Sequence, residues 1–144
     1  MNVGTLLFIP YRAMESEVMA ALAAAGHGEL TLAQARVFQR IAPGGSRPTD
    51  LADQAQVTKQ TVGVLVDQLQ RAGYVRRVPD PTDGRARLVV FTDLGMQACV
   101  VANMRVEEIE ARWSARLGPE RMAALRDALT ELRTLTDPYL DGPT

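Results

Sequence analysis

Hydrophobic residues recur three and four positions apart along most of the chain, and one stretch breaks that rhythm. Leu7, Tyr11, Met14, Val18 and Leu22 share one face and predict a first helix over 5–25. Pro10 lies inside this pattern and should either kink the helix or mark its true start. Gly26-His27-Gly28 ends it, and His27 between two glycines reads as loop surface. Thr31 and Gln34 form a capping box, opening a helix to about Ile41 that buries Leu32, Ala35, Val37, Phe38 and Ile41. Pro43-Gly44-Gly45-Ser46 is a loop. A short helix over 48–55 starts on Pro48, which suits a first helical position, and buries Leu51, Ala52 and Ala55. Thr58 then caps another helix, whose inner face is Val62, Leu65, Val66 and Leu69 and whose end is Gly73.

After Gly73 the period changes from helical to alternating. Tyr74–Val78 and Arg85–Thr92 read as two β-runs separated by Pro, Asp and Gly, with Asp83-Gly84 supplying the turn. Helical spacing then returns. Ala98, Ala102, Val106, Ile109, Trp113 and Leu117 predict a helix over 93–117, roughly 37 Å long at the standard rise. Gly118-Pro119 breaks it. Met122, Leu125, Leu129, Leu132 and Leu135 predict a last helix over 119–136, close to a coiled-coil seam. Helix, tight turn, helix and hairpin is the order of a winged helix-turn-helix. The predicted fold class is mainly α with a small β-wing: a winged helix-turn-helix plus a helical dimerisation region.

A chain of 144 residues is about one domain. The apolar run over 6–9 is far too short to span a bilayer, and no cationic segment precedes it, so no signal peptide is expected. Cys99, the single cysteine, can form no intrachain disulfide. No membrane association is therefore expected, and a cytoplasmic location fits. One histidine and one cysteine cannot build an ordinary His/Cys zinc site. A nucleophile–His–acid arrangement has only His27 to draw on, and no glycine-rich phosphate loop occurs. No metal, cofactor or catalytic residue is expected, and the chain does not read as an enzyme. Cys99, among Met96, Ala98, Val100 and Val101, reads as a small buried hydrophobe.

The net charge of −1 divides unevenly: residues 47–92 carry seven cations against five anions, a local +2, and the remainder carries −3. Four of the seven, Arg76, Arg77, Arg85 and Arg87, lie on the hairpin arms. The helix capped by Thr58 exposes Lys59, Gln60, Thr61, Gly63 and Val64 at the end that meets base edges in helix-turn-helix proteins. Lys59 can donate to guanine or phosphate, Gln60 can bind adenine, and Val64 can touch only a thymine methyl. A plain solvated helix start is the alternative, and the adjacent basic hairpin argues against it. Arg85 and Arg87 share one strand face and suit a narrow minor groove.

The run 76–95, RRVPDPTDGRARLVVFTDLG, together with the preceding helix-turn-helix from Arg47, resembles the DNA-binding core of the MarR-type transcription regulators. The strongest match is Asp80-Pro81-Thr82-Asp83-Gly84-Arg85, then a strand, then Phe91-Thr92 and a helix. The likeness extends more weakly over nearly the whole chain. It implies a single MarR-like domain over 1–144. The winged DNA-binding part spans 30–92, and the helical dimerisation part spans 1–29 and 93–144. It also implies that Asp83 braces Arg85 at the wing tip, with Arg77 and Arg87 beside it. Gly63, Val64 and Gly84 depart from the larger polar or basic residues common in the family.

The implied function is a homodimeric, sequence-specific regulator, a repressor by expectation, on a pseudopalindromic operator in double-stranded DNA. A small aromatic or apolar effector would release it. Leu6, Leu7, Trp113, Leu125, Leu129, Leu132 and Leu135 are the expected dimerisation residues. Tyr11, Met14, Val18, Phe38, Met96 and Val100 are the expected effector pocket, with plain core packing as the alternative. A protein-interaction module, or an architectural DNA binder without ligand control, remains open at this point. The peroxide-sensing relatives carry their cysteine in the first helix, where this chain has none, so that mechanism is not transferred.

Overall fold

The computed structural model describes residues 1–138. Its order is α1 (Val3–Leu22), α2 (Leu32–Phe38), α3 (Pro48–Ala55), α4 (Lys59–Arg71), β1 (Val75–Asp80), β2 (Asp83–Phe91), α5 (Asp93–Leu117) and α6 (Pro119–Thr136). The chain divides into two compact units. One is Met19–Ala102; the other joins Met1–Val18 to the residues from Asn103 onward.

The first unit is the winged helix-turn-helix. The α2 cap is the predicted box: the Gln34 amide donates to Thr31 Oγ1, and the Thr31 amide donates to Gln34 Oε1. That helix stops at Phe38, three residues short of the expected Ile41, and Leu32 lies exposed. Its apolar contribution comes instead from Val37 and Phe38, with Ile41 buried beyond its end. Pro48 opens α3 as expected, and Gln56 in the left-handed region (φ 55°) makes the tight join to α4. Leu51, Val62, Val66 and Leu69 are fully buried, so α3 and α4 close on one another through aliphatic side chains. Gln34 of α2 donates to Gln68 of α4 at 2.9 Å. Gly73, at φ 89°, ends α4 and turns the chain into β1.

The two strands pair antiparallel from Val75↔Phe91 to Pro79↔Arg87. The register then jumps to Asp80↔Asp83, leaving Gly84, Arg85 and Ala86 outside the regular ladder. The turn is thus Pro81-Thr82, not the expected Asp83-Gly84. The cause is Asp80, whose Oδ1 accepts from both the Thr82 amide and the Thr82 hydroxyl at 2.8 Å. An Asp that bonds two residues ahead makes a turn of its own. A third short pairing, Ser46↔Val89, seats the loop before α3 against β2.

His27 is not loop surface. It is buried, and its Nδ1 shares a 2.8 Å hydrogen bond with the Tyr74 hydroxyl. Gly26, at φ 95°, kinks the turn that follows α1 and allows the ring to point inward. Tyr74 also meets Phe38 edge-on, and Phe38 meets Phe91 with ring centroids 4.8 Å apart. Residues from His27 to Gly95 interlock around Tyr74 within the Met19–Ala102 unit.

In the second unit, α1 begins at Val3 and stays helical through Pro10, which therefore is not its start. Glu17 accepts from Arg112 at 2.7 Å, and Arg126 pairs with Glu110 at 2.8 Å. Ile109 is buried, yet α6 buries none of its described residues. Among the described residues, no helix is long and apolar enough to cross a membrane.

Candidate nucleic-acid interface

The outer end of α4 is built by its cap. Thr58 Oγ1 accepts from the Thr61 amide at 3.1 Å, satisfying one of the free donors of the first turn. Lys59, Gln60 and Thr61 stand exposed there, with Val64 exposed one turn on and Gly63 half-buried beside it. Arg77, expected at the DNA, has partners within the protein. It pairs with Asp67 at 2.7 Å and donates to Gln70 at 2.9 Å, tying β1 to the far end of α4.

On the wing, Arg85 and Arg87 are exposed. Among the described residues neither side chain meets a carboxylate. Asp83 does not reach the Arg85 guanidinium; its Oδ1 accepts from the Arg85 backbone amide at 3.1 Å. The brace therefore fixes the backbone of the irregular segment and leaves the cation free. Irregularities of this kind re-aim side chains at strand ends, and Arg85 sits in the one that the hairpin contains.

The wing is held by a pair that sequence inspection did not join. Arg47, just before α3, donates through Nε and Nη2 to Oδ2 of Asp80, at 2.8 and 2.7 Å. Asp80 is buried, and its other oxygen is occupied by Thr82. One carboxylate thus shapes the turn and anchors it to the helix-turn-helix. The two residues are 33 positions apart, and only their places before Pro48 and Pro81 marked them.

The Thr82 amide, then its hydroxyl, then Arg47 hold the Asp80 carboxyl below its usual range. A depressed native value stabilises the fold above the ordinary value of about 3.9 and ceases to do so as the pH falls through the native one. Asp80→Asn should therefore lower the melting temperature at neutral pH. It should also flatten the acid limb below about pH 4 relative to the parent chain. Parallel acid limbs would remove Asp80 as the cause.

The expected effector residues fall in different places. Tyr11 and Met14 line a cavity of about 890 Å³ in the second unit, with Leu6, Leu7, Trp113, Leu125 and Leu129 of the expected dimerisation set. Leu132 and Leu135 are exposed on α6, and Val18 is half-buried. Phe38 belongs to the aromatic core around Tyr74, while Met96 and Val100 are exposed on the first turns of α5. Cys99 is half-buried, and burial pushes its thiol pKa up, which favours the unreactive thiol.

Residues 29–86 match the model of the MarR family. The chain is 30% identical over 112 residues to the HTH-type transcriptional regulator FarR of Neisseria gonorrhoeae, covering 75% of each chain. Its fold matches the transcriptional regulator Tm0710 of Thermotoga maritima over 97% of both chains, at 29% identity and a TM-score of 0.64. It also matches the MarR family protein RV2887 of Mycobacterium tuberculosis, solved with salicylic acid. There it covers 92% of this chain and 96% of that one, at 28% identity and a TM-score of 0.66. By sequence over three quarters of its length and by fold over nearly all of it, this chain belongs to the MarR family of winged helix-turn-helix transcription regulators.

Proposed function

We propose that the protein is a homodimeric repressor that binds a pseudopalindromic operator, with α4 in the major groove and the wing arginines in the flanking minor groove. The observation that carries this reading is the pairing, in one unit, of a capped helix end whose Lys59 and Gln60 stand exposed with an exposed Arg85–Arg87 tip. Arg77 belongs to the support of that surface. The homodimer reading rests on the apolar residues that the second unit leaves uncovered, and a two-fold axis would set the recognition helices about one DNA turn apart, roughly 34–36 Å.

The proposed regulation is release by a small aromatic or apolar effector. The salicylic acid in the RV2887 structure supports that class of ligand. Of the residues expected to line its pocket, Tyr11 and Met14 share the cavity of the second unit, and the proposal is confined to that cavity. An effector shifts the DNA equilibrium only by its differential affinity for the two arrangements, typically about 1–3 kcal/mol.

The test begins with fragments of the source genome selected on the purified protein. Binding of a selected fragment is compared with random duplex at fixed salt. Specific binding should exceed random binding at least about 10³-fold, with a steep salt slope from phosphate contacts. Equal affinity for all sequences would leave an architectural protein, and no salt-dependent binding would leave a protein-interaction module. Arg85→Ala should weaken operator binding by about 1–3 kcal/mol if the side chain contacts base edges. An unchanged affinity would take the wing tip out of the groove. Salicylate, titrated against the complex, should lower operator affinity; if it and related aromatic acids do not, ligand release is lost while DNA binding stands.

A further inference from the structure

Two adjacent residues on the outer face of α4 run against what a helix favours. Gly63 lies in the helix interior, where glycine is less stable than alanine because it loses more backbone freedom on folding. A Cβ at this position would meet nothing within 4 Å, and its φ is not positive, so neither packing nor conformation requires glycine. Val64 follows, β-branched and 49% exposed. It adds nothing to the inner face, which Val62, Val66 and Leu69 already close. Local choices that disfavour the fold without a compensating contact point to function.

Gln60, Gly63, Val64 and Asp67 fall on one stripe of the helix, at spacings of three and four. The far end of that stripe is occupied from within, because Asp67 and Gln70 both hold Arg77. What remains outward is an amide, a bare stretch of backbone and an isopropyl group. A major groove offers one apolar feature to such a surface, the 5-methyl group of thymine. The missing side chain at Gly63 lets the helix backbone come closer, so the Val64 methyls would meet the thymine methyl without an intervening layer of water. Gln60, one turn earlier, has the donor and acceptor for the N6/N7 edge of adenine. No arginine stands on α4 before Arg71, at its end, so the strongest guanine reader is missing from this stripe.

We propose that Val64, seated by Gly63, is a specificity-determining residue that reads a thymine methyl, and that the operator half-site is A·T at the positions facing Gln60 and Val64. This rests on the DNA-binding reading above. The test uses the full chain and a genome-selected operator. Each thymine of a half-site is replaced in turn by deoxyuridine, which keeps the base pair and deletes only the methyl.

At one position per half-site the affinity should fall about fourfold, the value of one buried methyl. Val64→Ala should abolish the sensitivity at that position and nowhere else. Gly63→Ala should raise the melting temperature while weakening operator binding severalfold, a split that a purely structural role would not produce. An operator that binds specifically but shows no thymine whose methyl matters through Val64 overturns this inference and leaves the regulator reading intact. A Gly63→Ala chain that binds the operator unchanged overturns the role given to Gly63. Sequence-independent binding overturns both readings together.

Discussion

Replacing Leu125 and Leu129 together by glutamate is expected to turn the proposed homodimer into a monomer and to bring affinity for the proposed operator close to the non-specific level. Both leucines lie on α6, 37% and 41% exposed, in line with Leu132 at 42% and Leu135 at 81%. Leu6, Leu7 and Trp113 line the same cavity. A lone chain has no reason to hold this many apolar side chains in water, and contiguous apolar surface on this scale marks an association face. Burying one leucine contributes about 1.5–3 kcal/mol. That figure is for a fully exposed leucine; four leucines, two from each copy and each about two-fifths exposed, would contribute about 2–5 kcal/mol, a large share of the roughly 8 kcal/mol of micromolar association. Glutamates at these positions remove that contribution and add carboxylates that would have to be desolvated.

The double variant should sediment as a monomer at micromolar concentration, with its helical circular dichroism kept. A monomer meets one half-site, so specific affinity should fall by at least about 10³-fold, and the salt slope should shrink with the number of phosphates contacted. A double variant that remains dimeric would place the interface elsewhere. One that is monomeric but still binds the operator tightly would separate dimerisation from recognition.

Much of this architecture was legible because it is local. The Thr31–Gln34 box, Pro48 at the head of α3, the Thr58 cap and Gly73 each specify a helix end through neighbours within four residues. The limits of α5 and α6 follow from one break, Gly118-Pro119, and an unbroken apolar period. The features that sequence did not show depend on distant partners. Arg47 and Asp80 are 33 residues apart, so their pairing was not visible, while the bonds from Thr82 to Asp80 set the turn at Pro81-Thr82 and not at Asp83-Gly84. His27 finds Tyr74 across 47 residues, so a histidine between glycines became a core residue. Arg77 looked like the other wing cations until Asp67 and Gln70 were seen to hold it. Periodicity reports which face is buried, but not which polar groups meet across it. The exposed part of the candidate interface was legible for the same reason: among the described residues, the side chains of Lys59, Gln60, Arg85 and Arg87 stand exposed and need no distant partner to be read.

Gly95→Ala is expected to destabilise the winged unit, although alanine is the better helix former. Gly95 is buried in the first turn of α5. A Cβ there would collide with the carbonyl oxygen of Tyr74, a backbone atom with no rotamer to give way. That backbone is fixed from several sides. The same carbonyl accepts from the Thr92 amide at 3.1 Å, and the Thr92 hydroxyl donates to the Gly73 carbonyl and accepts from the Gly95 amide. The Tyr74 ring is held by Phe38 and His27. Relief must therefore come from moving α5 away from the end of α4. Overpacking of this kind costs about 1–3 kcal/mol and occasionally more, against a gain of at most about 0.5–1 kcal/mol from replacing a helical glycine, the figure for a helix interior.

The net loss, up to about 2.5 kcal/mol, should lower the melting temperature by up to about 10 °C. Gly63→Ala, with open space around its Cβ, is the internal control and should move the temperature the other way. A Gly95→Ala chain as stable as its parent would show that the junction between Tyr74 and α5 yields easily. The tight seating of the wing on the long helix would then no longer explain why Gly95 stands there.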